Sequence, residues 1–439
     1  MNHRLLLVVS ILFFILVSSF SNTVSAQNTD YYNKDFLRYE DYTYVPNIRT
    51  AQLYPQGNDL LQPVLEMGTP EQLELHFDDL EGGVKNYYYT IIHCSAAWQP
   101  SNLVQPQYIT GFSEDRIVTY RYSISSFQQY THYTLLFPND NMKPSISGNY
   151  ILKVYKEGYP DQPVITKRFM IASPKVDIEV NVHRATVVEN RDTRQEVDFN
   201  ILTGSYRIDD PFNIMKVIIT QNNRLDNAIS TLKPQFIALD KLTYNYDAEN
   251  TFWGGNEFRE FDTRALRYKT GRVSDLYVDS TKRYRIELTP DVVRAGKPYT
   301  FINDINGRYK INVRDAITDS NVEGDYTYVK FNIPAESLIA DGSIYIFGQL
   351  TNWEFNEDNK LKYNPETQSY EATLYLKQGY YNYEYVILRD EKRGGADPGF
   401  IEGNYSDTEN EYTIYVYNRP IGSRYDELIG FKQFSSQNK

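Results

Sequence analysis

Val176-Asp177-Ile178-Glu179-Val180-Asn181-Val182-His183 alternates apolar and polar side chains without a break. Successive side chains on a β-strand point to opposite faces, so this stretch reads as a strand with one buried and one polar face. Leu73, Leu75 and Phe77 repeat the pattern against Glu74, His76 and Asp78. So do Tyr150, Leu152 and Val154, then Ala372, Leu374 and Leu376, then Tyr412, Ile414 and Val416. Turn-forming clusters divide these runs, as at Pro138-Asn139-Asp140-Asn141 and Glu157-Gly158-Tyr159-Pro160-Asp161. The chain holds 40 Tyr and 22 Phe, flat rings that favour strands and also serve contact surfaces. Only residues 223–242 leave room for a short helix. The expected fold is all-β, with tandem immunoglobulin-like β-sandwich domains.

The first 26 residues read as a signal peptide. Arg4 supplies a positive start, Leu5 to Val17 an apolar run, and Val24-Ser25-Ala26 a small-residue cleavage site before Gln27. No later stretch reaches the roughly 18 apolar residues of a membrane helix. The mature chain is therefore expected to be exported, and either soluble or held at a membrane by a protein partner. At 439 residues the chain exceeds one hydrophobic core. A first sandwich is expected at 27–172, closing on a hairpin of Tyr150–Lys156 with Val164–Ile171. A second β-rich domain follows at 173–320, a third at 321–417 and a tail at 418–439. The net charge of −12 argues against nucleic acid and anionic lipid as partners. Cys94 is the single cysteine, so no internal disulfide forms, and it reads as a small buried hydrophobe.

Catalytic patterns are missing from the sequence. His76 and His183 fall on the polar faces of their strands and are expected to be solvated. His93 and Cys94 are adjacent on a strand and point apart, so they cannot form a dyad. His and Cys spacing does not suggest zinc, and neither a nucleophile elbow nor a phosphate loop is present. Asp78-Asp79 and Asp209-Asp210 read as solvated turn residues rather than a hydrolytic pair. Asp304-Ile305-Asn306-Gly307 matches only a fragment of a calcium loop. The expectation is a protein without catalytic residues, cofactor, metal or small-molecule substrate.

The most distinctive segment is Phe252-Trp253-Gly254-Gly255-Asn256-Glu257-Phe258-Arg259-Glu260-Phe261-Asp262-Thr263-Arg264. Its aromatics, two glycines and mixed charges suit either an exposed contact loop or a joint between domains. Trp253, Gly254, Gly255, Asn256, Phe258, Arg259 and Phe261 are its candidate partner contacts. In the third domain, Gly348, Asn352-Trp353, a hairpin and Gly379-Tyr380-Tyr381 follow one another. That order resembles the early-set immunoglobulin-like modules that bind glycogen and starch. The resemblance places alternative glycan contacts at Trp353 and Tyr370.

Gly254 to Asp262, the third-domain pattern and Ser423-Arg424-Tyr425-Asp426-Glu427-Leu428-Ile429-Gly430 together resemble the type IX secretion plug family of Bacteroidetes. The resemblance implies a non-enzymatic periplasmic protein. Such a protein would bind the periplasmic opening of the outer-membrane translocon barrel and seal it while no cargo passes. The alternative is a periplasmic or surface glycan-binding protein that uses its C-terminal domain.

Overall fold

The computed structural model describes residues 36–335, 338–389 and 396–437. The signal-peptide segment 1–26 lies outside the described residues. Among them, strands dominate, and the two α-helices are single turns at Pro211–Ile214 and Ser320–Glu323.

The described residues form three β-sandwiches. In the first, one sheet runs Tyr42–Thr43, Pro163–Ala172, Gly148–Lys156, Tyr87–Cys94, Asp115–Arg116. The other runs Ile48–Pro55, Leu73–Asp79, Thr131–Phe137, Thr119–Tyr122. Leu73, Leu75 and Phe77 meet Tyr87, Tyr89, Tyr150 and Phe169 in the core between them. The expected hairpin forms with Tyr150 opposite Phe169. Rings fill this core in complementary orientations: Phe77 stacks on Tyr133 and meets Tyr87 edge-on.

The other two sandwiches depart from linear order. In the middle one, Asp177–Arg184, Arg194–Leu202, Lys241–Tyr244 and Phe236–Ile237 form one sheet, with Thr251–Trp253 also paired to Arg194–Leu202. Its second sheet is Arg224–Ile229, Met215–Gln221, Glu411–Asn418, Glu427–Ser435. Two of those four strands come from the end of the chain. Glu411–Asn418, expected to close the third domain, pairs instead with Met215–Gln221, Val217 opposite Val416. The expected tail carries Glu427–Ser435, an outer strand of the same sheet. The third sandwich is thus inserted within the second.

That inserted sandwich begins earlier than residue 321. Its first sheet joins Arg259–Asp262 and Tyr309–Ile311 to Gly379–Arg389, with Gly342–Phe347 on the same central strand. Its second runs Val273–Val278, Tyr284–Leu288, Tyr326–Pro334, Ser369–Lys377, Lys362–Asn364. Strand alternation is local, so it marks strands correctly yet says nothing of which distant strand supplies the backbone partner. Residues 223–242 are strands and turns rather than a helix, because Leu232 and Leu242 are buried in the middle core beside Tyr244.

Candidate functional site

The segment 252–264 is the joint through which the chain enters the inserted sandwich. Trp253 ends a strand of the middle sandwich and Arg259 begins one in the third. The returning chain runs alongside: the Tyr405 amide donates to the Gly255 carbonyl at 2.9 Å, and Asn410 Nδ2 donates to the Gly254 carbonyl at 2.8 Å. Gly254 is required by contact, since a Cβ there would lie 2.0 Å from the Tyr405 carbonyl oxygen. Gly307 serves the same joint: its Cβ would fall 2.4 Å from the Trp353 ring and 2.7 Å from Phe258. The Asp304 carboxylate accepts the amides of Asn306 and Phe258. The Asp304-Ile305-Asn306-Gly307 stretch therefore turns the chain and pins the joint.

Most of the candidate contacts in this segment face inward. Phe258 is buried edge-on to Trp353, and Phe261 is buried in a parallel stack with Tyr381 at 5.0 Å. Arg259 is buried between Glu402 (2.9 Å) and Asp291 (2.8 Å), and also donates to the Val292 carbonyl. Asn256 donates to the Glu402 carbonyl. Trp253 alone turns outward, 47 % exposed, with the Arg194 guanidinium 3.8 Å above its ring. Tyr370 is buried in the third core, where its hydroxyl accepts the Ile339 amide at 2.6 Å. A buried ring offers no platform for a sugar. Trp353 packs on Phe347, 5.2 Å away, and lines a cavity of about 430 Å³ where the three sandwiches meet. Trp98, Lys167, Arg308, Glu354 and Tyr415 also line it. Burial there holds the Glu354 carboxyl up at about 7, with Glu40 adding to the shift.

The first and third sandwiches are joined by a buried polar row. Asp78 receives Lys377 Nζ and the Tyr326 hydroxyl (2.8 Å) on one oxygen and His132 Nδ1 (2.6 Å) on the other. His132 Nε2 faces His76 Nδ1 at 2.9 Å, and His76 Nε2 lies 3.2 Å from Glu74. Asp78, Asp79 and His76, expected to be solvated, are all buried. The third sandwich covers the polar face of Leu73–Asp79, so that face is an internal interface rather than a solvated surface. Lys377 and His132 hold the Asp78 carboxyl below its usual range despite the burial that opposes them. Asp209 remains at the surface beside Arg207. Cys94 is buried, and burial pushes its thiol up to about 12. His93 points instead among Tyr108, Tyr150 and Tyr425.

Residues 48–173 match the family model described as the type 9 secretion system plug protein 1st domain. A crystal structure of a hypothetical protein from Parabacteroides merdae ATCC 43184 is 36 % identical, with a TM-score of 0.87 over 91 % of this chain and 100 % of that one. The chain carries the first domain of the type 9 secretion system plug proteins. A comparison with curated proteins finds no match. That domain ties the chain to a secretion system of the cell envelope and points to a non-enzymatic role with a protein partner. Among its described residues, no helix is long and apolar enough to cross a membrane.

For a protein with a plug domain the outward features matter most, and two of them escape the sequence reading. The hairpin tip Phe236-Ile237-Ala238-Leu239 projects three apolar side chains, exposed to 70 %, 54 % and 100 % for Phe236, Ile237 and Leu239. The edge strand Thr119–Tyr122 is exposed along its whole length, with Tyr120 and Tyr122 in edge-to-face contact. An apolar pair beside a turn was the available signal for the first. Tyr120 and Tyr122, two apart on one strand face, were the signal for the second.

Proposed function

We propose that this chain is a non-enzymatic periplasmic plug that binds the periplasmic opening of the outer-membrane type IX translocon and seals it when no cargo passes. The match of residues 48–173 to the plug protein first domain carries the reading. Its build supports the role. A cover over a wide aqueous barrel has to keep its shape, and the sandwiches are held to one another by the buried pairs Lys377–Asp78 and Arg224–Glu384 and by a threaded joint rather than by flexible linkers. Three buried carboxylates are tied to cations: Asp78 to Lys377, Asp291 and Glu402 to Arg259.

The seal needs a surface of about 1,200–2,000 Å² with ring-bearing anchors. Trp253, the Phe236–Leu239 tip and Tyr120 with Tyr122 are among the exposed rings and apolar groups available for it. A tagged copy at native level, recovered from detergent-solubilised envelopes, is expected to bring down a large outer-membrane barrel. Recovery of the soluble protein with no such barrel counts against the plug reading.

A further inference from the structure

Strand pairing brings together three side chains that sequence spacing keeps apart. His183 lies directly opposite Glu196 in the antiparallel pair Asp177–Arg184 with Arg194–Leu202, and Asp198 follows two residues along on the same face. His183 Nε2 is 3.0 Å from Asp198 Oδ2 and 3.7 Å from Glu196 Oε1. One donor atom from each residue lies within 4.8 Å of the others.

Each donor is oriented from behind. His183 Nδ1 sits 2.8 Å from the Arg184 carbonyl, which can only accept, so the ring proton is on Nδ1. Nε2 in turn donates to Asp198, and a cation that displaced this second proton would leave a neutral ring with its Nε2 lone pair directed between the two carboxylates. Glu196 is buried and fixed by the Thr186 amide (2.7 Å) and hydroxyl (3.2 Å). Asp198 is fixed on its other oxygen by Asn250 Nδ2 at 3.0 Å. This is the outer shell that metal-binding imidazoles and carboxylates require.

Charge supplies the second, independent reason. Among the described residues, no Lys or Arg forms an ion pair with Glu196 or Asp198. Arg184, adjacent to His183, is engaged by both oxygens of Asp407 at 2.7 and 2.9 Å, and Arg194, two residues from Glu196, lies over the Trp253 ring. Two carboxylates therefore face a single imidazole, and even a protonated ring leaves one negative charge over. A divalent cation with a neutral ring closes that balance.

We propose that His183, Glu196 and Asp198 form a binding site for a divalent transition-metal cation of the zinc class. Tetrahedral bonds of about 2.0–2.2 Å place neighbouring ligand atoms about 3.3–3.6 Å apart, between the two separations observed. The imidazole favours such a cation over calcium or magnesium, which take oxygen ligands. Asp177–Arg184 is the outer strand of its sheet. The bound ion clips this strand to its neighbour and leaves the fourth coordination position to solvent.

The test is a calorimetric titration of the metal-stripped, tag-free mature chain with ZnCl2, repeated on His183→Ala and Asp198→Asn. One equivalent is expected to bind saturably to the parent, raising its thermal midpoint. Both variants are expected to bind at least about tenfold more weakly. Unchanged circular dichroism in EDTA shows that they still fold. Cobalt(II) gives a second readout: intense visible bands in the parent, absent in His183→Ala. No saturable binding by the parent, or equal affinity in folded variants, overturns the site and leaves an imidazolium ion pair in its place.

Discussion

Lys377 of the inserted sandwich ends on the Asp78 carboxylate of the first sandwich, both side chains buried, 299 residues apart in sequence. The pair crosses the boundary between two sandwiches, so it senses their docking rather than the integrity of either core. Breaking it leaves one buried charge without its partner, a cost of about 3–5 kcal/mol.

Lys377→Met is therefore expected to lower stability by about 3–5 kcal/mol, with the Asp78→Asn/Lys377→Met double variant recovering part of the loss. Urea unfolding followed by tryptophan fluorescence measures both. A single-variant cost under about 1 kcal/mol would mean that water reaches the pair and the interface is open.

Acid weakens the first sandwich through His93. Burial among aromatic rings pushes its pKa down to about 4 from the ordinary value of 6.5. Below about 6.5 the unfolded chain takes up a proton that the native chain refuses. The stability tied to neutral His93 is thus whole above 6.5 and falls, by about 3 kcal/mol, as pH drops toward 4. Burial shifts His132 in the same direction. Glu354 and Glu384, both held up at about 7, work oppositely and lose their contribution as pH rises through 7. Comparing the parent with His93→Gln across pH 4–7 isolates the first effect. Parallel profiles for the two proteins would refute it.

Neighbouring glycines at the joint should differ. In Gly254→Ala the added carbon meets the Tyr405 carbonyl, and the returning strand must move. A destabilisation of about 1–3 kcal/mol or more is expected, with faster proteolysis near residues 254 and 405. Gly255 has φ +63° and open space around it. Gly255→Ala should therefore incur only the left-handed backbone penalty of about 1–2 kcal/mol and leave proteolysis almost unchanged. Equal cleavage in the two variants would contradict the threading of the joint.

The exposed hairpin tip separates function from folding. Phe236→Ser/Ile237→Ser/Leu239→Ser alters side chains that contribute little to the core, so stability should stay within about 0.5 kcal/mol. Capture of the translocon barrel should drop severalfold if this tip is an anchor. Full capture by the stable variant would place the anchor elsewhere on the surface, with Trp253 and the Tyr120–Tyr122 edge next to be tested.

Two-residue periodicity was enough to read the β class and the buried face of Leu73–Phe77, because strand alternation records which side chains meet an apolar layer. It misread the other face. His76 and Asp78 look solvated on a polar face, yet a second sandwich covers them. A polar face turned to water and one turned to a bonded interface have the same composition. Likewise Phe258, Arg259 and Phe261 combine rings and charge as a contact surface does, but the surface they contact belongs to their own chain.

The chain's own order of residues determined that its strands exist, which sides are apolar, and, through the motifs it shares, its likeness to the plug family. Only the tertiary structure decided that Glu411–Ser435 returns to complete the middle sandwich, that Lys377 meets Asp78, and that His183 stands beside Glu196 and Asp198. The reason is physical. Side-chain alternation is set within a few residues, whereas strand pairing and charge neutralisation are settled by whichever distant backbone and side chain best satisfy the buried groups once the layers come together.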